Sequence, residues 1–165
     1  MKILPGRSKN LKRLLDPGQV ELYIYCTCSG DLKDILNNGV ITNGYTTREG
    51  NESYPVVLIQ TAPFYTPSKA YWEVEAMLPV DNIFIDQDDH DFRIPANRDI
   101  DYDEPISKIF LVDDSGVGYG LWTPGIPPDC IRSVALVRTD DYGIVSKTVI
   151  YRKEGILTDY YPISS

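Results

Sequence analysis

Two cysteines separated by a single residue, Cys26 and Cys28, are the first candidates for chemistry in this sequence. On a strand, side chains at this spacing point to the same face, which suits a metal or redox site. A structural zinc site needs four ligands, however, and beyond this pair the chain has only Cys130 and His90. The composition therefore favours small apolar strand residues, which is how buried free cysteines usually behave.

Two acidic runs, at 86–91 and 99–104, are candidates for calcium binding because each contains four carboxylates. Calcium prefers several oxygens from one tight loop with a glycine at its turn. Neither run has this glycine, or the terminal glutamate of an EF-hand at the right offset. The pattern favours solvated acidic loops, and the alternative is a surface that presents carboxylates to a basic protein.

Nucleophilic catalysis would have to use His90, the only histidine of the chain. A Cys–His or Ser–His pair could form only through this residue. No P-loop, G-x-G-x-x-G or G-x-S-x-G motif is present, and no helix is predicted after the glycines of 116–120. Residue types alone therefore do not identify a catalytic centre.

Short strands dominate the elements that would position these side chains. Strands are predicted at 20–27, 56–61, 71–80, 106–112, 130–137 and 145–152. The last two are expected to pair across the intervening TDDYG turn. In the strand at 71–80, the alternation of Glu73 and Glu75 with apolar residues predicts carboxylates that point outward from a half-buried strand.

Helices are few. One is predicted after Ser29 or Asp31, since apolar residues follow at helical spacing and Asn38-Gly39 provides an end signal. A second short helix is predicted at 9–15, and 42–55 is predicted to be a polar loop. These elements predict an α+β fold that is mostly antiparallel sheet with one or two short helices.

Length and composition indicate one domain. The chain has 165 residues, of which 42% are hydrophobic, enough for a sizeable core. We divide it into an N-terminal basic segment (1–19), a core (20–138) and a C-terminal hairpin or strand (139–165). The net charge of −8 makes general nucleic-acid binding an unfavourable interpretation. The five basic residues before Asp16 leave open a local contact with an anionic partner.

Membrane insertion and export are not expected. No apolar run approaches the roughly 18 residues of a membrane span, and the N-terminus lacks the apolar region of a signal peptide. Three cysteines is an odd number, which favours reduced thiols and a cytoplasmic location.

The segment 25–41 resembles the beginning of ADP-ribosyltransferase-like domains, in which a strand carrying H-x-T precedes a helix ending in I-L-x-x-G. Tyr25, Cys26 and Thr27 fall on the H-x-T positions, and Gly39 falls on the final glycine. Three later segments resemble further parts of the same family in the same order. They are PVVLIQTAPFYTPS (55–68), YWEVEAMLPVDNIFIDQDD (71–89) and TPGIPPDCIRSVALV (123–137), the last as in small bacterial and phage members.

This resemblance, which covers roughly 20–138, implies a split sheet around a cleft that binds NAD. The implied cofactor-binding residues are Tyr25, Cys26, Thr27, Thr61, Tyr65, Ser68 and Trp122. Tyr25 replaces the usual histidine, and no glutamate stands at 118–122, where the family's catalytic carboxylate is expected. The implied catalytic residues are therefore Tyr25 with Asp113, Asp114 or Glu104.

Two functions are compatible with this resemblance. The chain could bind NAD and transfer ADP-ribose to a macromolecular acceptor. Alternatively, it could be a catalytically inactive acidic module, such as a phage-encoded inhibitor, that captures a protein partner or a nucleotide. An interaction domain on an unrelated β-rich fold is a third interpretation.

Overall fold

A computed structural model describes residues 11–13, 15–49, 52–63, 69–85, 105–108, 111–113, 121–153 and 155–156. These residues form an α+β fold of mostly antiparallel, split β-sheets, as the sequence predicts. The strands are β1 (Leu11–Arg13), β2 (Glu21–Cys28), β3 (Tyr45–Glu49), β4 (Glu52–Ile59), β5 (Ala70–Pro79), β6 (Phe84–Ile85), β7 (Leu111–Asp113), β8 (Leu121–Thr123), β9 (Ile131–Thr139), β10 (Ile144–Arg152) and β11 (Gly155–Ile156). The α-helix of the described residues is α1 (Leu32–Asn38), and short 3-10 helices lie at Val80–Asn82, Ile106–Lys108 and Pro128–Cys130.

The strands form three sheets. The largest has the order β11-β10-β9-β5-β2, the second has the order β3-β4-β8-β6, and β1 pairs with β7 in a third. Each of these pairings is antiparallel. The larger two sheets share one apolar core, to which β2 contributes Ile24, β4 contributes Ile59 and β5 contributes Trp72. Burial of such aliphatic and aromatic side chains is the main stabilising term.

The helix α1 is fixed at both of its ends. Asp31 caps its N-terminus by accepting a hydrogen bond from the backbone N–H of Lys33. Gly39 follows its C-terminus with a φ of 75°, and a Cβ there would lie 2.0 Å from the backbone oxygen of Ile126. Because Val40 and Ile126 exchange two backbone hydrogen bonds at 2.9 Å, this close approach joins the helix end to the segment before β9.

Several sequence predictions are confirmed. Strands occupy the predicted segments at 20–27, 71–80, 130–137 and 145–152, and the last two pair as a hairpin. The helix after Asp31 is also present.

Three local predictions are wrong. Leu11–Arg13 is a strand rather than part of a helix, because it pairs with Leu111–Asp113, about 100 residues away in sequence. The segment 42–55 is not a loop, since it contains β3 and the beginning of β4, which pair with each other. The predicted strand at 106–112 is wrong at its beginning, where Ile106–Lys108 form a 3-10 helix, and correct at Leu111 and Val112, which lie in β7.

The two acidic runs at 86–91 and 99–104 lie outside the described residues. Among the helices that the structure describes, none has the length and apolar character needed to cross a membrane.

Candidate functional site

Strand β2 separates two environments by the alternation of its side chains. Ile24 and Cys26 are fully buried in the core, whereas Tyr25 and Thr27 point to the opposite side. A hydrogen bond with Cys28, together with burial, raises the pKa of the Cys26 thiol well above its usual range. A protonated, buried thiol is a poor nucleophile and a poor metal ligand. Only the backbone of Cys26 is therefore placed to contact a ligand near Tyr25.

Tyr25 lies where the two larger sheets meet. Its backbone N–H donates to the carbonyl of Gln60 at 2.8 Å, and the Gln60 N–H returns a bond at 2.9 Å. Next to this pair, the side-chain amide of Asn43 lies between β2 and β4 and makes the hydrogen bonds that a neighbouring strand would otherwise make. Its Nδ2 donates to the carbonyls of Thr27 and Leu58, and its Oδ1 accepts from the Leu58 N–H. The sheets thus begin to separate at Thr27, where a side chain replaces a strand neighbour.

On the side of β2, β5, β9 and β10 away from the core lies a group of tyrosine, carboxylate and lysine side chains, which we call the polar face. Register places Tyr25 directly opposite Glu75, and Thr27 opposite Glu73. Directly opposite residues of antiparallel strands share one side of the sheet. The members of the polar face are Tyr23, Tyr25, Glu73, Glu75, Ser133 and Lys147.

The two glutamates of β5 have different surroundings. One oxygen of Glu75, Oε2, accepts hydrogen bonds from the Tyr23 hydroxyl at 2.6 Å and the Ser133 hydroxyl at 2.8 Å. Glu73 is only 1% exposed, and its Oε1 lies 2.5 Å from Nζ of Lys147. Its Oε2 has no hydrogen-bond partner in the described part of the chain.

The prediction that Glu73 points outward to solvent is therefore wrong. Alternation correctly places Glu73 on the side opposite the core. At that position, however, the second side is also covered, since the neighbouring Tyr71, Ala135 and Val137 are buried as well. An ion pair with Lys147 offsets part of the cost of burying the carboxylate.

The electrostatics keep the phenols neutral and the lysine charged. Burial, followed by the hydrogen bond to Glu75, raises the pKa of Tyr23 from 10.0 to about 12. Burial and then the charges of Glu75 and Glu73 raise the pKa of Tyr25, while Lys147 opposes this effect. The hydrogen bond to Glu73 raises the pKa of Lys147. At neutral pH both phenols can therefore donate hydrogen bonds.

An open groove of about 440 Å³ runs along one end of the polar face. Its volume lies within the range of roughly 300–1,000 Å³ that is typical of ligand sites. Side chains from β2, β5, β9 and β10, and from the residue that follows β10, form its walls. They are Tyr23, Glu75, Arg132, Ser133, Lys147, Val149, Arg152 and Lys153. Four of these residues are cationic and only Glu75 is anionic, although the whole chain carries a net charge of −8.

The structure brings together several residues predicted to bind NAD. Thr27 is two residues from Tyr25 on β2, and Thr61 directly follows Gln60, the bridge partner of Tyr25. Trp122 pairs with Leu58 and stacks on Phe84 with a centroid distance of 4.4 Å. Since Leu58 and Gln60 are two residues apart in an extended segment, Trp122 lies on the same side as Tyr25.

The predicted catalytic carboxylates are not placed beside Tyr25 by the strand pairings of the described residues. Asp113 ends β7, which pairs with β1 rather than with β2. Asp114, Glu104, Tyr65 and Ser68 lie outside the described residues. The carboxylates that strand register places beside Tyr25 and Thr27 are instead those of β5.

Sequence reasoning assigned no role in the site to Glu73, Glu75, Lys147 or Asn43. The signal for Glu73 and Glu75 was their spacing of two, which puts both on one side of β5. The predicted β9–β10 hairpin could have placed Lys147 near this side, because its neighbour on β9 is itself paired with β5. No short-range signal identifies Asn43, whose role depends on the separation of two sheets.

Within the described ranges, no group of three or more histidine, cysteine, aspartate or glutamate side chains is arranged to hold a metal ion. Comparison with known protein families, with curated proteins and with solved structures finds no match to this chain.

Proposed function

We propose that this chain is a divergent ADP-ribosyltransferase-like protein that binds NAD beside Tyr25 and transfers ADP-ribose to a macromolecular acceptor. One observation carries the proposal. Tyr25, which the sequence resemblance assigns to the position of the family's first-strand histidine, lies directly opposite Glu75, a carboxylate on the wall of an open groove. The separation of the two sheets next to Tyr25 supports the same location.

Glu75 is the carboxylate that fits this role best. NAD supplies the ADP-ribosyl group, and positive charge develops on the ribose as nicotinamide leaves, so a nearby carboxylate lowers the barrier. The hydroxyls of Tyr23 and Ser133 hold Glu75 through Oε2, and Oε1 has no hydrogen bond to any described residue. Glu73 suits the role less well, since it is buried and paired with Lys147.

The aromatic and hydroxyl groups around Tyr25 can position the ligand. The phenol of Tyr25 is neutral at physiological pH and can donate one hydrogen bond, as the histidine of the family does. Thr27 and Thr61 offer further hydroxyls near the bridge to Gln60. Trp122 provides an aromatic surface on the same side of the sheet.

The decisive experiment measures binding and transfer separately. We expect NAD and ADP-ribose to raise the melting temperature of the wild-type protein and labelled NAD to modify an acceptor. Glu75→Gln should abolish transfer while largely preserving NAD binding. Asp113→Asn and Asp114→Asn are the matched controls, and each should retain transfer.

Three results would contradict this proposal. If neither NAD nor ADP-ribose binds, the nucleotide site is wrong. If transfer occurs but depends on Asp113, Asp114 or Glu104 rather than on Glu75, the assigned carboxylate is wrong. Transfer that survives Tyr25→Ala would exclude Tyr25 from the site.

The second candidate function is capture of a partner without catalysis. It is favoured by two features of the sequence, the tyrosine at the histidine position and the lack of a glutamate at 118–122. In this case NAD or ADP-ribose binds but no label is transferred. A partner pull-down that is weakened both by salt and by neutralising the carboxylates of 86–91 would support it.

A cytoplasmic location belongs to this proposal. Cys26, Cys28 and Cys130 are all free thiols, and a reducing compartment keeps them so.

A further inference from the structure

We infer that the groove on the polar face binds a phosphate group through Arg132 and Arg152. This inference does not depend on NAD binding or on ADP-ribose transfer. It rests on three features of the groove, namely guanidinium groups without partners among the described residues, two irregularities in its strands and its charge.

The two arginines have no side-chain hydrogen bond or ion pair with any residue that the structure describes. The two lysines of the groove are engaged, since Lys147 pairs with Glu73 and Lys153 donates to the backbone oxygen of Asp129 at 3.3 Å. Among the described residues, nothing therefore occupies these guanidinium groups, and they can contact an incoming anion. Each presents a rigid set of donors that matches the oxygens of a phosphate.

Irregular strand pairing places the arginines at the same level of the sheet. On β5, Glu75 and Ala76 are consecutive, but their partners on β9 are Ser133 and Ile131, so Arg132 is an extra residue between them. A second irregularity in β10 sets Arg152 directly opposite Ser133. Bulges redirect side chains and are common beside functional sites. Here they bring guanidinium groups from neighbouring strands into one groove.

The charge of the groove opposes that of the rest of the chain. Four cationic side chains face the two carboxylates Glu73 and Glu75, so positive charge is in excess locally on a chain of net charge −8. Such a concave positive region attracts small anions. Glu75 is held by Tyr23 and Ser133, and the cationic side chains that line the groove outnumber it four to one.

Phosphate fits this arrangement better than carboxylate. Two guanidinium groups on adjacent strands offer more donors than the two oxygens of a carboxylate can satisfy. A phosphate has at least three acceptor oxygens. The phosphate could belong to a nucleotide or be free in solution.

The experiment is titration calorimetry of the full chain at low and at high salt. The ligands are inorganic pyrophosphate, ADP and NAD, with the dicarboxylate succinate as the comparison. We expect pyrophosphate to bind with one-to-one stoichiometry and more weakly as salt is raised. Arg152→Gln and Arg132→Gln should each weaken binding by about tenfold or more, since each removes charge-assisted hydrogen bonds. Arg138→Gln is the matched control, because Arg138 is an exposed arginine of the same strand β9 outside the groove, and it should change binding by less than about twofold.

The outcomes separate the possibilities. Tighter binding of ADP than of pyrophosphate identifies a nucleotide site, and equal binding identifies a site for the phosphate alone. The inference is overturned if pyrophosphate does not bind, if Arg138→Gln weakens binding as much as Arg152→Gln, or if succinate binds as tightly as pyrophosphate. Arg152 is exposed, so Arg152→Gln decides the matter even if Arg132→Gln unfolds the protein. Pyrophosphate binding without any NAD binding would support this site while refuting the proposed function.

Discussion

Lys147→Met should destabilise the protein far more than removal of an ordinary surface lysine. The substitution keeps most of the apolar stem but leaves the carboxylate of Glu73, which is 1% exposed, without its ion-pair partner. At the 2.5 Å separation of Nζ and Oε1, the gross attraction is roughly 7 kcal/mol for an effective dielectric constant of about 20. Most of this attraction is offset by the cost of removing both charges from water.

The net loss of stability depends on which member of the ion pair is removed. Removing one member of a fully buried pair typically costs about 3–5 kcal/mol, because the other charge stays buried. Lys147 is 37% exposed, so solvent already screens the pair and water can enter where the ammonium stood. We therefore expect a loss of about 2–3 kcal/mol in the free energy of unfolding, which corresponds to a fall in melting temperature of about 5–10 °C.

The assay is urea denaturation followed by circular dichroism, with Lys33→Met as the control. Lys33 lies on the exposed side of α1, and its loss should change stability by less than about 0.5 kcal/mol. The double variant Glu73→Leu, Lys147→Met removes both charges and should recover most of the lost stability. If Lys147→Met is as stable as Lys33→Met, or if the double variant is less stable than Lys147→Met, the assignment of a coupled buried pair is wrong.

Two further predictions concern the helix end and the phenol of the polar face. Gly39→Ala should destabilise by more than about 2 kcal/mol, because its Cβ would meet a backbone oxygen. Gly44→Ala, which has a φ of 93° but open space, should cost only about 1 kcal/mol, and equal losses in thermal unfolding would contradict the close contact. The pKa of Tyr23 is about 12 in the folded protein and 10.0 in the unfolded chain, so the neutral phenol contributes its full stabilisation below pH 10. This stabilisation is lost as pH rises toward 12. Glu75→Gln should bring the Tyr23 pKa, measured by NMR of the labelled ring carbon, back toward 10.0, and an unchanged value would refute the role of Glu75.

Alternation of side chains in β2 and β5 could be predicted because it is local. The sequences YIYCTC and YWEVEA place apolar and polar residues on opposite sides of a strand whatever its neighbours are. The location of Cys26 in a strand, away from Tyr25, followed from this period of two. Alternation does not show whether the second side is covered, however, since that depends on distant residues. For this reason Glu73 was expected in solvent, whereas the structure buries it.

The remaining errors share one physical origin. The predicted helix at 9–15 has suitable local propensity, but Leu11–Arg13 pairs with Leu111–Asp113, and such long-range pairing overrides weak local preferences. The segment 42–55 is rich in polar residues and therefore lacks the apolar alternation by which strands are recognised. β3 and β4 pair with Glu49 opposite Glu52, and the dipeptide Gly-Asn between these residues in the sequence is a hairpin signal in its own right.

Tyr25 belongs to the proposed NAD site and lies opposite Glu75 of the proposed phosphate site, and the two proposals can be tested separately. Its backbone joins the sheets through Gln60, and its side chain faces Glu75. Glu75, Arg132 and Arg152 all line the groove, so a carboxylate and two guanidinium groups lie on one surface. A ligand that carries both a ribose and phosphates would match this combination of charges. If pyrophosphate competes with NAD in calorimetry, both occupy this one surface. If the two bind independently, the groove and the junction of the sheets are distinct sites, and the carboxylate for NAD must be sought away from Glu75.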